Sequence, residues 1–454
     1  MAQTSQPPVR VGLPRILLYS SASIGLNIMG ITLSTWLLYF YSPPPDSGNP
    51  IYLPITLVGV LSTIAIIWDA AIDPFIGQWS DSIRGRWGRR RPFLLIGAPL
   101  AALALIVIWL PPGGAPVWII AAFFFIVNII YRTSFSMVGI PYDGSMAEIA
   151  PDNTGRVALS GWKNVFGIIG VLLASAVFVP LYSSRGPVAM GIGVAIVGLI
   201  TIWMAVPALR ETPSPGRPIP VLAGIRATFQ NRQFRIVLFS TLAIYVGYGM
   251  INALLPYFVT LVLGRGEEDV ATYLLTVIGT MVVFTPIWYL ISRRFSNRKL
   301  LLLTMVGIAV ASGLNFLPGL IPGLPADIMA FVTLGLVGPV LGGYLILIYA
   351  MMGSVVDYDE MLTGTRREAI YYGTFSFARG VGDSLAALIL PVLLSTFGYT
   401  AANPLGVRIS FLVIGLLALL GALIFLPYRL GDTPEETRAN LGLEAAGTLP
   451  AANR

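Results

Sequence analysis

Two aspartates four residues apart, Asp69 and Asp73, lie in the stretch Trp68-Asp69-Ala70-Ala71-Ile72-Asp73-Pro74, directly after the apolar run Ile55 to Ile67. An i, i+4 spacing puts both on one face of a helix. A carboxylate at mid-bilayer costs roughly 2.5–3.5 kcal/mol or more, so a pair kept there has a task. Two carboxylates facing a cavity give a hard cation both charge and oxygen ligands. Crowding them also makes it costly to ionise both at once, which suits a proton carrier. The plain alternative is static: each aspartate neutralises a basic residue on a neighbouring helix. Other ionisable residues also interrupt apolar sequence, namely Arg132, Lys163, Arg379 and Asp383. Such groups face a water-filled cavity or pair inside a bundle. Arg379 and Asp383, again four apart, are an available helical pair.

Elements that position these groups must cross a membrane. Of 454 residues, 56% are hydrophobic and only 11% charged, and mean hydropathy is +0.80. A soluble domain carries about 25% charged residues. The net charge of +7 would suggest nucleic acid in a soluble protein, but here Lys and Arg sit in short loops between apolar runs. Membrane orientation explains that distribution better. With no cysteine and no histidine, thiolate chemistry and Cys-based metal sites are excluded, and proton coupling falls to carboxylates. Met1 to Leu13 is polar and Pro-rich without a signal-peptide pattern, so the first apolar run is expected to stay as a span.

Runs of about 20 apolar residues predict twelve spans: 15–41, 51–79, 92–111, 117–142, 158–182, 186–208, 235–263, 270–293, 299–318, 325–352, 369–398 and 408–430. Alternate loops carry the basic residues: Arg84, Arg86 and Arg89 to Arg91, then Arg156, then Arg210, Arg217, Arg226 and Arg232, then Arg293, Arg294, Arg298 and Lys299, then Arg366 and Arg367. The intervening loops hold only Arg185, Arg265 and Arg408. This asymmetry predicts both termini in the cytoplasm, as an even span count requires. A Pro-rich linker, 210–234, separates an N-terminal half (1–209) from a C-terminal half (235–430), and a polar tail follows (431–454). The second-span exit, Ser80 to Pro92, has a weaker echo in Ser292 to Lys299, and Glu148 to Gly167 resembles Asp359 to Gly380. Two related six-span halves mark an all-α membrane protein of the major facilitator fold.

The run Trp68-Asp69 to Asp73-Pro74, the loop Arg86-Trp87-Gly88-Arg89-Arg90-Arg91-Pro92, the Ile140-Pro141-Tyr142 turn and the Asp357-Tyr358 pair resemble the glycoside–pentoside–hexuronide:cation symporter family over nearly the whole chain. The resemblance implies that Asp69 and Asp73 bind the coupling Na⁺ or are protonated in its place, with Ser136 as a hydroxyl ligand. Ile72 stands where sodium-using relatives often have Asn, which shifts the expectation toward H⁺. It also implies a substrate site with Lys163 and Arg379 as basic ligands. Two acidic sugar ligands of the family are replaced by Asn27 and Gly139, and Asn27 can still bond a hydroxyl. Asp143 is unusual for the family: the carboxylate has moved one turn, or it pairs with Arg132. Tyr142, Trp162 and Tyr344 are candidate stacking faces, or else interface anchors. Gly77 and Asp81, followed by Arg84, Arg89 and Arg90, are similar to the cytoplasmic gating motif of major facilitators, with Gly77 permitting close helix approach. Gly342 and Gly343 offer either a bend or close packing.

The expectation is a plasma-membrane symporter (bacterial inner membrane in a prokaryote), moving a sugar or glycoside with H⁺ or Na⁺ by alternating access. It needs no cofactor beyond the coupling ion, and metal binding is limited to Na⁺ at Asp69 and Asp73. Its partners are a small-molecule substrate and membrane lipid, with no nucleic acid, and it is expected to act as a monomer. An amphiphile carrier, such as one for a lysophospholipid, is the alternative. An uncoupled uniporter or sensor is a further one. An enzyme is not expected, since no nucleophile–base grouping recurs.

Overall fold

The computed structural model describes residues 12–83, 87–150, 153–209, 228–364 and 367–441, and every regular element among them is helical. Arg84, Arg86, Arg210, Arg217, Arg226 and Arg366, with most of the 210–234 linker, lie outside the described residues. In lipid the backbone must satisfy its own hydrogen bonds, so long apolar runs become helices. In order these are α1 (Leu13–Ser20), α2 (Ala22–Tyr41), α3 (Ile55–Ser82), α4 (Arg91–Val107), α5 (Val117–Ile149), α6 (Asn153–Leu173), α7 (Val179–Arg185) and α8 (Pro187–Ala205). Then come α9 (Arg232–Tyr257), α10 (Val270–Ser292), α11 (Asn297–Leu314), α12 (Ala326–Thr363), α13 (Glu368–Phe397), α14 (Leu405–Phe425) and α15 (Pro434–Leu441).

Among the described residues eleven helical segments are long and apolar enough to cross a membrane, and the shorter α4 falls where the third span was expected. π-turns at Ala174–Phe178 and Phe258–Val262 join α6 to α7 and extend α9. Two helices overrun their expected ends. α5 continues through Pro141 to Ile149, and α12 runs to Thr363 rather than residue 352. At 1.5 Å per residue α12 is about 57 Å long, well beyond a hydrocarbon core of about 30 Å. It stops at Gly364, whose left-handed φ of 67° lets its N–H return to the Glu360 carbonyl at 2.8 Å. The tail is also part helical. Thr433 caps the Glu436 N–H, and the Glu436 carboxylate accepts from the Asp432 N–H, an S/T-x-x-E box.

Contacts divide the chain into two compact units. The first is Met1–Gly216, Asn252–Leu275 and Ala387–Pro404; the second is Arg217–Ile251, Thr276–Ala386 and Leu405–Arg454. In the first unit α2 packs on α6 and α8, α3 on α5, and α4 on α5 and α8. A Cβ on Gly170 of α6 would lie 2.6 Å from the Ile24 carbonyl oxygen, so α2 and α6 touch backbone to backbone. The C-terminal segments join this unit through specific bonds. Tyr257 donates its hydroxyl to the Ser42 carbonyl at 2.7 Å, Asn49 donates to Glu267 at 3.0 Å, and the Ala401 N–H reaches Asp46. In the second unit α11 packs on α12 and α14. Gly342 and Gly343 sit where α10 comes close to α12. Their missing side chains make room for Met281 and Trp288 of α10, at 3.0 and 2.5 Å from where a Cβ would stand, so close packing is their role.

Candidate functional site

α3 carries Asp69 and Asp73, and α5 packs against it with a polar stripe, Asn128, Arg132 and Ser136, spaced four residues apart. The Ser136 hydroxyl donates to Asp69 Oδ1 at 2.8 Å. The Arg132 guanidinium lies 3.7 Å from Asp69 Oδ2, and its Nε donates to Asn128 Oδ1 at 3.2 Å. Asn128 is fully buried, so it aims the arginine firmly. Asp73 is different: its Oδ1 is buried and accepts no hydrogen bond. The static pairing considered for both aspartates therefore holds for Asp69 alone. Pro74, one residue on, has no N–H to give the Ala70 carbonyl, which loosens the helix backbone at this turn. Ile72 contributes no oxygen and lines an apolar groove of about 500 Å³ with Phe75, Trp79 and Met137. Among the described residues no three acidic side chains converge as a metal group.

A second cluster gathers four of the substrate-site candidates. Lys163 Nζ bonds Asp143 and stands 5.1 Å from the Tyr142 ring centroid. Asp143 thus pairs with Lys163, not with Arg132 as one sequence alternative had it. The Tyr142 ring is fully buried and stacks on Tyr19 at 4.5 Å. Its hydroxyl donates to the Tyr19 carbonyl at 3.0 Å and lies 3.0 Å from Ser23 Oγ. Tyr142 therefore holds helices and supports Lys163, and its own ring offers no open face. Asn27 donates to the Ser23 carbonyl at 2.8 Å and packs over Gly167 and Gly170, which share a helix face with Lys163. Asp143 is 61% exposed by side chain, so the lysine–aspartate pair is open to an approaching molecule.

Arg379 belongs to the second unit. Its guanidinium stacks 4.8 Å from the Tyr245 ring centroid and donates to the Tyr349 hydroxyl at 3.4 Å, while Nε is buried without a partner. Asp383, one helical turn on, acts on Arg379 electrostatically. Tyr344 is buried at 1% exposure and offers no stacking face, whereas Trp162 is 39% exposed.

At the ends of α3 and α5 the basic loop folds back. Arg90 spans Asp81 and Glu148, both at 3.1 Å, and Arg89 also bonds Glu148. The Asp81 contact fits the expected gating motif. Glu148 was missed as its partner, although a glutamate closing an apolar helix beside three arginines is a readable signal. Gly77 has no packing need here, since a Cβ would sit 3.6 Å from Ile140, an ordinary contact. In the second unit Asp359, buried at the end of α12, takes two hydrogen bonds from Arg367. Those bonds hold the Arg367 proton more tightly than usual.

Twelve apolar helical segments among the described residues, intramembrane charge on α3, α5, α6 and α13, and an Asp–Arg–Glu latch fit a major-facilitator transporter. The chain belongs to the family described as MFS/sugar transport protein, whose sequence profile matches residues 18–432. Among its relatives is the isoprimeverose transporter of Lactiplantibacillus pentosus, 25% identical, with 84% of this chain and 80% of that protein covered. Another is the glucuronide carrier protein homolog of Escherichia coli (strain K12), 23% identical over 84% of this chain and 83% of that one. A crystal structure of a D-xylose-proton symporter has the same fold, with a TM-score of 0.64 at 18% identity, covering 93% of this chain and 98% of that one.

Proposed function

We propose that the protein is a secondary active symporter that moves a sugar or glycoside together with H⁺ or Na⁺ by alternating access. It would sit in the plasma membrane, with both termini in the cytoplasm. One observation carries this reading: Asp73 has a buried carboxylate oxygen with no donor, next to an aspartate that is already paired. An uncompensated charge of that kind is costly in an apolar bundle. A mobile cation or proton removes the cost when it binds. Substrate hydroxyls would meet the open Lys163–Asp143 pair and Asn27. Cation and substrate then favour one another by reciprocal linkage. The latch of Arg89 and Arg90 on Asp81 and Glu148 would make and break as access alternates. Sugar-transporting relatives support this cargo, and they give no support to the amphiphile alternative.

The test is uptake into proteoliposomes of a panel of radiolabelled pentosides, hexosides and hexuronides under an imposed pH or Na⁺ gradient. Accumulation of at least one of them above equilibrium, abolished by collapsing the gradient, is expected. Equilibration alone for every sugar under either gradient would show that the chain is no symporter of this class.

A further inference from the structure

We propose that Arg132 is a tethered cation that occupies one of the two carboxylates of the cation site and so makes the site reject Na⁺ and Li⁺. The proposal rests on the symport reading for its setting, but its physics is local. A guanidinium is charged at every working pH and cannot leave. It stands 3.7 Å from Asp69 Oδ2, and its Nε–H donates at 3.2 Å to the amide oxygen of the fully buried Asn128, which holds it there. Arg132 is also only 20% exposed and its carboxylate partner 24%, so water screens the pair weakly. The other Asp69 oxygen accepts from Ser136.

An alkali ion needs several oxygens together with net negative charge. At this site it would find Asp73, one lone pair or two on Ser136, and an Asp69 whose charge is already cancelled. Ile72, directly before Asp73, supplies no side-chain oxygen. Bringing Na⁺ between the aspartates would also bring it against the arginine, two like charges in a half-buried setting. A bare proton has neither demand: it needs one lone pair and one carboxylate. With alkali ions rejected, H⁺ is the coupling ion left to the symporter. Arg132 is thus a specificity-determining residue that acts through Asp69.

The reporter is built in. Trp68 precedes Asp69 and donates its indole N–H to Thr133, the residue after Arg132, at 3.0 Å. The experiment compares the full-length protein and three variants in lipid nanodiscs, titrated with NaCl against choline chloride at constant ionic strength. Tryptophan fluorescence and the thermal midpoint are both read. The wild type is expected to show no saturable Na⁺ response. Arg132→Gln is expected to acquire one, with apparent affinity raised by at least about tenfold, the scale on which one adjacent charge acts on a carboxylate. Arg132→Lys, which keeps the charge, is expected to stay silent. Should Arg132→Gln fail to fold, Asn128→Val removes only the acceptor that aims the guanidinium, and it is expected to gain a weaker Na⁺ response. A saturable wild-type response at millimolar Na⁺, or folded Arg132→Gln and Asn128→Val proteins that both ignore Na⁺, would overturn the proposal. Proteoliposome uptake separates its failure from that of the symport reading. Accumulation driven by a Na⁺ gradient sinks the Arg132 assignment and leaves symport standing. Loss of all gradient-driven uptake sinks symport, and the nanodisc titration still decides Arg132.

Discussion

Asp69 and Asp73 share a side chain, a helix and a face, yet their neighbours make them chemically unequal. Asp69 has an arginine and a hydroxyl; Asp73 has a buried oxygen with neither. The spacing that put both on one face was legible in the sequence. The inequality was not, because it depends on which side of α5 faces α3, and that is set by packing. The latch shows the same division. Arg90 and Asp81 were readable as a motif, whereas the buried Glu148 is the partner that matters energetically. Arg90→Ala is expected to destabilise by about 3 kcal/mol, since it leaves a mostly buried glutamate with one partner fewer. Asp81→Ala removes an acid that is 57% exposed and is expected to cost less than about 1 kcal/mol. Thermal unfolding of both variants in detergent checks the order, which reverses if the surface contact dominates.

At the scale of elements, hydropathy located all twelve segments but misjudged their ends. α5 and α12 outrun their apolar stretches because a helix that leaves the bilayer still satisfies its backbone internally, and the charged residue near each polar end is paired, Glu148 with Arg89 and Arg90 and Asp359 with Arg367. The glycines divide by what lies opposite them, which no single sequence reveals. Gly77→Ala is expected to change the thermal midpoint little, as its Cβ would rest 3.6 Å from Ile140. Gly170→Ala would press a methyl onto the Ile24 carbonyl at 2.6 Å and is expected to cost about 1–3 kcal/mol by overpacking. Equal midpoints for the two variants would contradict the helix approach described for α2 and α6. The tail helix α15 was overlooked in favour of composition, although its Thr433-x-x-Glu436 box and Pro434 at the first turn are local signals.

For the whole molecule, the alternation of basic and neutral loops argues that residues 42–54 face outward and α15 faces the cytoplasm. Lacking cysteine, the chain needs no prior engineering for site-directed labelling. In intact cells a membrane-impermeant maleimide is expected to label Ser47→Cys, and to label Glu435→Cys only after permeabilisation; the reverse pattern would invert the topology. Transport coupling is the claim on which the other readings depend, and Asp73→Asn addresses it most directly. In proteoliposomes this variant keeps the side chain's shape and removes the charge that a cation would bind. It is expected to lose gradient-driven accumulation of substrate while retaining substrate exchange between preloaded and external pools. Accumulation at the wild-type level in Asp73→Asn would contradict the assignment of the coupling site.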